Sequence, residues 1–114
     1  MVRIEAVIRP VRLDDVKTAL DGIGVHSMSV IEIRGAGKQK GYTQHYRGSE
    51  YQVNLLPKLM LILVVPDEQQ ELVISTIESA AKTGEIGDGK IFVLDLEAAV
   101  RIRTGERDAE AIAG

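Results

Sequence analysis

The chain of 114 residues contains no cysteine and no tryptophan, and aromatic residues make up only 4% of it. Without cysteine there can be no disulfide, no thiol nucleophile and no thiolate metal site. Because aromatic rings are scarce, a hydrophobic core must be built from Ile, Val, Leu and Ala, within an apolar fraction of 45%. The length is enough for a single domain with a buried core, and we expect one domain over residues 1–114.

An excess of basic residues and a long hydrophobic run are also lacking. The net charge of −3 and the isoelectric point of about 5.4 argue against a general affinity for nucleic acid or anionic membranes. The longest apolar run, residues 59–66, is far shorter than a membrane span. Arg3, Glu5 and Arg9 interrupt any hydrophobic signal segment at the start of the sequence. We therefore expect a soluble, cytoplasmic protein.

Hydrophobic periodicity predicts four strands and two helices. Alternating apolar residues in 2–9 predict the first strand, and three further apolar stretches predict the others. Apolar residues at helical spacing predict a helix from Leu13, closed by Gly22 and Gly24, and another around Val73 to Ala81, closed by Gly84. Asp67 and Gln70 have the spacing of a capping box for this second helix. The remaining predicted segments are strands at 27–34, 59–65 and 90–94, a final strand piece at 101–103 and a frayed tail from Arg107.

The order of these elements predicts an α+β fold of the ferredoxin-like, split βαβ type. Two helices can cover only one face of a four-stranded sheet. The predicted strand 59–65, LMLILVV, is nevertheless apolar on both faces. An exposed apolar face of that size indicates an interaction surface, so we expect a homo-oligomer that buries it.

A long polar segment, GAGKQKGYTQHYRGSEY at 35–51, separates the second and third predicted strands. Loops of this length in compact domains are usually functional or disordered. Gln39 in this segment could ligate a hard cation such as Mg²⁺ through its amide oxygen, although a loop glutamine is more often simply solvated.

The segment TGEIGDGK at 83–90 is rich in glycine and ends in a lysine. Glycines allow backbone N–H groups to turn toward an anion, and Lys90 adds positive charge. The alternative is a helix end at Gly84 followed by an ordinary turn, since this is not a Walker A motif.

Further basic residues are candidates for binding anions. Arg101 and Arg103 would lie on one side of a strand, where a phosphate could bind between them and near Lys90, or they could be a solvated pair at the sheet edge. Lys58 and Arg9 each lie next to a proline at a strand end and could bind a carboxylate, or could only protect the edge. We find no nucleophile with a base and no paired carboxylates, so we expect no enzyme activity.

Six stretches resemble the PII nitrogen-regulatory signal-transduction family across nearly the whole chain. The most specific are TGEIGDGKIFV at 83–93 and YRGSEY at 46–51, which is followed by LPKL at 56–59. The others are IEAVIRP at 4–10, RGAGKQKG at 34–41 and RIRTGER at 101–107.

This resemblance implies a homotrimer that binds ATP or ADP, and 2-oxoglutarate beside Mg²⁺-ATP, in clefts between subunits. It assigns Gln39 to Mg²⁺. By the same resemblance, the nucleotide would be bound by Ser29, Lys38, Gly87, Asp88, Gly89, Lys90, Arg101 and Arg103, and 2-oxoglutarate by Arg9, Gln39, Lys40, Gly41, Lys58 and Gly87.

The polar segment would be the mobile T-loop, about residues 36–55, which docks on target proteins; the C-terminal tail would comprise about 107–114. Tyr51 matches a tyrosine that is uridylylated or adenylylated in many relatives, and Ser49 a serine phosphorylated in cyanobacterial ones. The implied role is signalling nitrogen, carbon and energy status to partners such as an ammonium channel, an arginine-pathway kinase, glutamine-synthetase regulators or transcription factors. The resemblance implies contact with a membrane only through the ammonium channel, and it implies no direct contact with nucleic acid.

Some positions depart from the family pattern. Ser27-Met28-Ser29 replaces a usual Gly-Met-Thr, Lys38 a usual arginine, and Val11 and Ala36 usual phenylalanines. These changes leave three alternatives open: a specialised paralogue that senses adenine nucleotides without 2-oxoglutarate, a weak ATP-hydrolysing protein, and a trimeric scaffold that has lost the ligands.

Overall fold

The computed structural model describes residues 1–37 and 55–113, together with the backbone of 43–46 and 49–52. Its strands are β1 (Val2–Ile8), β2 (Ser29–Gly35), β3 (Thr43–Tyr46), β4 (Ser49–Gln52), β5 (Leu56–Val65) and β6 (Lys90–Asp95), and its helices are α1 (Leu13–Gly22), α2 (Gln70–Ala81) and α3 (Asp108–Ile112).

The main sheet has four strands in the order β2-β5-β1-β6, with every neighbouring pair antiparallel. β1 therefore lies inside the sheet between β5 and β6, while α1 connects β1 to β2 and α2 connects β5 to β6. This is the arrangement of the split βαβ, ferredoxin-like fold, so the predicted fold class is confirmed.

The core lies between the sheet and helices α1 and α2. β1 alternates strictly, with Val2, Ile4, Ala6 and Ile8 buried and the residues between them partly exposed. The other core residues come from β5 and from one face of each helix: Val16, Leu20, Leu61, Leu63, Val65, Val73, Ile77 and Ala81. The core contains no aromatic side chain among the described residues, as the composition predicted.

The opposite face of the sheet is not covered by any described helix. In the register, Met60 pairs with Val7 on one side and with Ile31 on the other, so these three residues share that face. Phe92 and Leu94 on β6 are 49% and 45% exposed. The apolar second face predicted from the sequence is therefore present, and we call it the open face.

A 3-10 turn precedes each of the two helices that cover the sheet: Pro10–Arg12 lies before α1, and Asp67–Gln69 lies before α2. The predicted capping box is wrong. Asp67 lies inside the turn, the N-cap residue is Pro66, and no side-chain cap bond forms there. The Asp67 carboxylate instead pairs with the N-terminal ammonium group of Met1 at 2.8 Å.

The segment after β6 also differs from the prediction. Residues 101–103 form no strand, because the chain turns back on itself: Arg101 N–H donates to the Glu106 carbonyl and Gly105 N–H to the Arg101 carbonyl. Gly105 has a φ of 74°, which suits such a turn. The predicted frayed tail is wrong for residues 108–112, which form α3.

The polar segment contains the β3–β4 hairpin, which the sequence did not predict. Tyr46 pairs with Ser49 and Gln44 with Tyr51. Among the described helices, none combines the length and the hydropathy that a membrane span needs.

Candidate functional site

A cavity of about 630 Å³ lies at the base of the polar segment. Its walls come from residues 35–37 at the end of β2, from Leu56 and Lys58 at the start of β5, from the loop 85–89 and from β6. Val7 and Phe92 contribute apolar surface. The cavity therefore joins both ends of the polar segment to the glycine-rich loop.

The glycine-rich loop has a backbone that only glycine adopts readily. Gly84, Gly87 and Gly89 have φ values of 91°, 104° and 99°. A Cβ atom on Gly89 would lie 1.8 Å from the carbonyl oxygen of Val7. Gly89 therefore lets the loop approach β1 closely just before β6 begins.

Asp88 organises this loop. Its carboxylate accepts hydrogen bonds from the Thr83 hydroxyl at 2.5 Å, from the Thr83 and Gly84 N–H groups at 2.9 Å each, and from Arg9 Nε at 2.9 Å. The hydrogen bond from the Thr83 hydroxyl and the one from Arg9 hold the pKa of Asp88 well below its usual range. The carboxylate is thus ionised, and both of its oxygens already accept hydrogen bonds from the loop and from Arg9.

Arg9 joins the end of β1 to the same loop. Besides its ion pair with Asp88, its guanidinium donates to the Ile86 carbonyl at 2.9 Å. Two contacts from one planar group fix the loop relative to the sheet. The structure therefore gives Arg9 a part in holding the loop.

Lys58 is the buried charged residue of the site, with only 8% of its surface exposed. Its ammonium group donates to the Gly87 carbonyl at 2.5 Å. Burial lowers the pKa of Lys58, the positive charge of Arg9 lowers it further, and Asp88 acts in the opposite direction. A negatively charged ligand group placed here, in addition to the Asp88 carboxylate, would be attracted by the ammonium group of Lys58 and the guanidinium group of Arg9.

Lys90 lines the same cavity from the first position of β6, opposite Val7. The site therefore combines two lysines, glycine backbone at Gly87 and Gly89, and an apolar wall. Such a combination suits an anionic ligand that also carries an apolar or flat group.

Several predicted binding residues do not lie in this cavity within one chain. Ser29 is exposed on β2, opposite Ile62. Arg101 and Arg103 are absent from the lining as well. The strand predicted at 101–103 is wrong, because these residues form a turn and the described partner of β6 is β1, so the two arginines do not lie beside Lys90 on an adjacent strand. Their role in binding phosphate stays a prediction.

Arg101 is instead bonded to the C-terminal segment. Its guanidinium donates to the Glu106 carboxylate at 3.1 Å and to the carbonyls of Ala113, Ala111 and Glu110 at 2.6, 3.3 and 3.4 Å. Arg103 is exposed. Arg101 thus anchors α3 to the turn that precedes it.

The remaining predicted residues fall where side chains are not described. Lys38, Gln39, Lys40 and Gly41 lie outside the described residues. Ser49 and Tyr51 lie on the described backbone of β4. No group of three or more His, Cys, Asp or Glu residues that could hold a metal ion occurs in the described part of the chain.

Thr83 is the residue of this site that sequence reasoning missed. Its hydroxyl donates to Asp88 and accepts from the Glu85 N–H at 3.1 Å. Threonine hydroxyls often bond the backbone N–H two residues on in turns, so a threonine at the start of a glycine-rich loop could have pointed to it.

Comparison with known proteins places this geometry in a family. A sequence model described as "Nitrogen regulatory protein P-II" matches residues 1–106. A protein of that name from Synechocystis is 54% identical over 112 residues, covering 98% of this chain and all of the relative. Nitrogen regulatory protein P-II 1 of Escherichia coli is 51% identical over 112 residues, which again cover 98% of this chain and all of the relative.

A solved structure agrees with these relatives. The crystal structure of Arabidopsis thaliana PII bound to citrate is 39% identical, has a TM-score of 0.80, and is matched over 97% of this chain and 88% of that one. The chain therefore belongs to the nitrogen regulatory protein P-II family.

Proposed function

We propose that this protein is a non-enzymatic, cytoplasmic signal protein that binds ATP or ADP and 2-oxoglutarate and regulates partner proteins through its T-loop. Members of the family are named regulatory proteins, and they act as trimers on partner proteins. The observation that supports the proposal best is the cavity at the base of the polar segment. A ligand there would contact residues 35–37 and Lys58 at once, so its binding would alter the conformations open to the segment between them.

The chemistry of the cavity fits these ligands. Gly87 and Gly89 expose backbone and Lys90 adds charge, which suits the phosphates of a nucleotide. Lys58, buried and cationic, suits a carboxylate of 2-oxoglutarate, and citrate bound to the plant relative is likewise a small polycarboxylate. Gln39 would hold Mg²⁺ together with ligand oxygens, and Lys40 and Gly41 would lie beside 2-oxoglutarate.

A homotrimer supplies the rest of the proposed site. The open face of the sheet needs a covering partner, and Arg101, Arg103 and Ser29 do not reach the cavity of their own chain. In a trimer these residues would face the cavity of a neighbouring subunit. Sedimentation velocity tests this step: we expect a mass of three chains of 12.4 kDa, and a monomer would contradict it.

ATP hydrolysis is disfavoured by the environment of Asp88. Asp88 is one of two acids that line the cavity, with Glu85, and its carboxylate already accepts four hydrogen bonds and its pKa is lowered, so it is a poor base. Docked partners would be an ammonium channel, an arginine-pathway kinase or glutamine-synthetase regulators, and modification of Ser49 or Tyr51 would add negative charge to the hairpin.

Calorimetric titration of ATP and of ADP, each with Mg²⁺, tests the nucleotide part of the proposal. We expect saturable binding of both, with one site per chain. The double variant Arg101→Ala with Arg103→Ala should bind several-fold or more weakly, because charge-assisted hydrogen bonds to phosphate are each worth about 1.5–3 kcal/mol. Unchanged affinity in this variant would remove both arginines from the site.

A further inference from the structure

Thr83 lies outside the cavity, yet it is bonded to the residue that organises the cavity's glycine-rich loop. The loop 83–88 is closed by the Asp88 carboxylate, which accepts from the backbone and the hydroxyl of Thr83. The same hydroxyl accepts a hydrogen bond from the Glu85 N–H, so it is bonded both to Asp88 and to the backbone of the loop. Thr83 itself does not line the cavity.

The hydrogen bonds of Asp88 affect the cavity through the backbone of the two neighbouring glycines. Gly87 and Gly89 flank Asp88 and both line the cavity. Their φ values of 104° and 99° define one loop conformation, and glycine by itself allows many. The side chain of Asp88, held by Thr83 on one side and by Arg9 on the other, selects that conformation.

We propose that Thr83 is a positioning residue for effector binding: through Asp88, its hydroxyl holds Gly87 and Gly89 in the conformation that receives the anionic part of the ligand. The identity of the effector rests on the proposed function, but the positioning role does not. Thr83 acts through Asp88 and need not touch the ligand.

The test compares Thr83→Val, which keeps the shape and removes the hydroxyl, with Thr83→Ser, which keeps the hydroxyl. Thr18→Val, on the exposed surface of α1, is the matched control. Calorimetry with Mg²⁺-ATP should give about a tenfold weaker Kd for Thr83→Val, which corresponds to about 1.4 kcal/mol. Thr83→Ser and Thr18→Val should bind like the unaltered protein, and equal affinity in Thr83→Val would overturn the proposal.

A second readout in the ligand-free protein separates positioning from general stability. Amide hydrogen exchange of Gly87 and Gly89 should be faster in Thr83→Val, with unchanged exchange in the β1 and β5 core strands. If the unaltered protein binds no ATP, the proposed function fails, and this exchange experiment alone decides the positioning role. Unchanged exchange at both glycines would then contradict it. Thr83→Ala serves in the same assays if Thr83→Val does not fold.

Discussion

Replacing Gly89 by alanine should destabilise the protein strongly, because two separate costs arise at this position. A φ of 99° is unfavourable for any residue with a Cβ atom and costs about 1–2 kcal/mol. The added Cβ would also lie 1.8 Å from the Val7 carbonyl oxygen, more than 1 Å inside the 3.0 Å limit that real contacts keep. The start of β6 must therefore move away from β1, with the loss of one or two backbone hydrogen bonds at about 0.5–1.5 kcal/mol each.

Together these costs amount to about 1.5–5 kcal/mol, which for a domain of this size lowers the melting temperature by roughly 6–20 °C. Gly84→Ala is the matched control, because its φ is 91° but nothing lies within 4 Å of the added atom. In that variant the free energy of unfolding should fall only by the conformational cost of about 1–2 kcal/mol.

Thermal unfolding followed by circular dichroism at one fixed protein concentration measures both effects, since an oligomer's melting temperature depends on concentration. We expect Gly89→Ala to melt well below Gly84→Ala. If the two variants lost the same stability, the close contact between Gly89 and β1 would not exist as described, and the account of why the loop needs this glycine would be wrong.

Three other expectations follow from the site. Asp88→Asn should remove a stability contribution that is full above the ordinary carboxyl pKa of 3.8 and is lost as the pH falls below that value, because the pKa of Asp88 is lowered in the folded protein. The difference in melting temperature between this variant and the unaltered protein should therefore shrink in acid, and a constant difference would contradict the ion pair with Arg9. Lys58→Met should abolish 2-oxoglutarate binding while leaving ATP binding measurable by calorimetry; unchanged 2-oxoglutarate affinity would remove Lys58 from that site. Arg101→Ala should release α3, seen as faster amide exchange over 108–113, whereas Arg103→Ala should not; equal exchange in both would refute the anchoring role of Arg101.

Periodicity was sufficient for the main fold because burial follows the pattern of apolar residues. β1 alternates as predicted, and the residue pattern of β5 predicted both the core and the open face. The start of β5 was missed by three residues, since Leu56, Pro57 and Lys58 resemble a loop in composition although they pair with Gly35, Arg34 and Ile33. Pairing with an edge strand, rather than burial, places them in the sheet.

The errors occurred where side chains compete with the local pattern. Arg101-Ile102-Arg103 alternates like a strand, but Gly105 and the Glu106 carbonyl turn the chain back, and Ile102 is left 99% exposed. Asp67 had the spacing of a cap but is bound by the N-terminus. The partner of Asp67 is distant in the chain and is not visible in a sequence window.

The candidate site was predictable in part. The glycine-rich loop and Lys58 were identified from the sequence, and the structure brings them together. The bond from Arg9 to Asp88 could not be predicted, because the two residues are 79 positions apart in the chain, whereas Thr83 lies five positions before Asp88 and was overlooked. The roles assigned to Lys38, Gln39, Lys40 and Gly41, and modification at Ser49 and Tyr51, stay predictions.

The central claim is that nucleotide and 2-oxoglutarate act on one cavity at the base of the T-loop. The most direct measurement is a calorimetric titration of 2-oxoglutarate into protein saturated with Mg²⁺-ATP, set beside the same titration without nucleotide. We expect saturable binding in the presence of Mg²⁺-ATP and no measurable heat without it. Binding of 2-oxoglutarate that is equally strong without nucleotide, or that is absent in both titrations, would contradict the account.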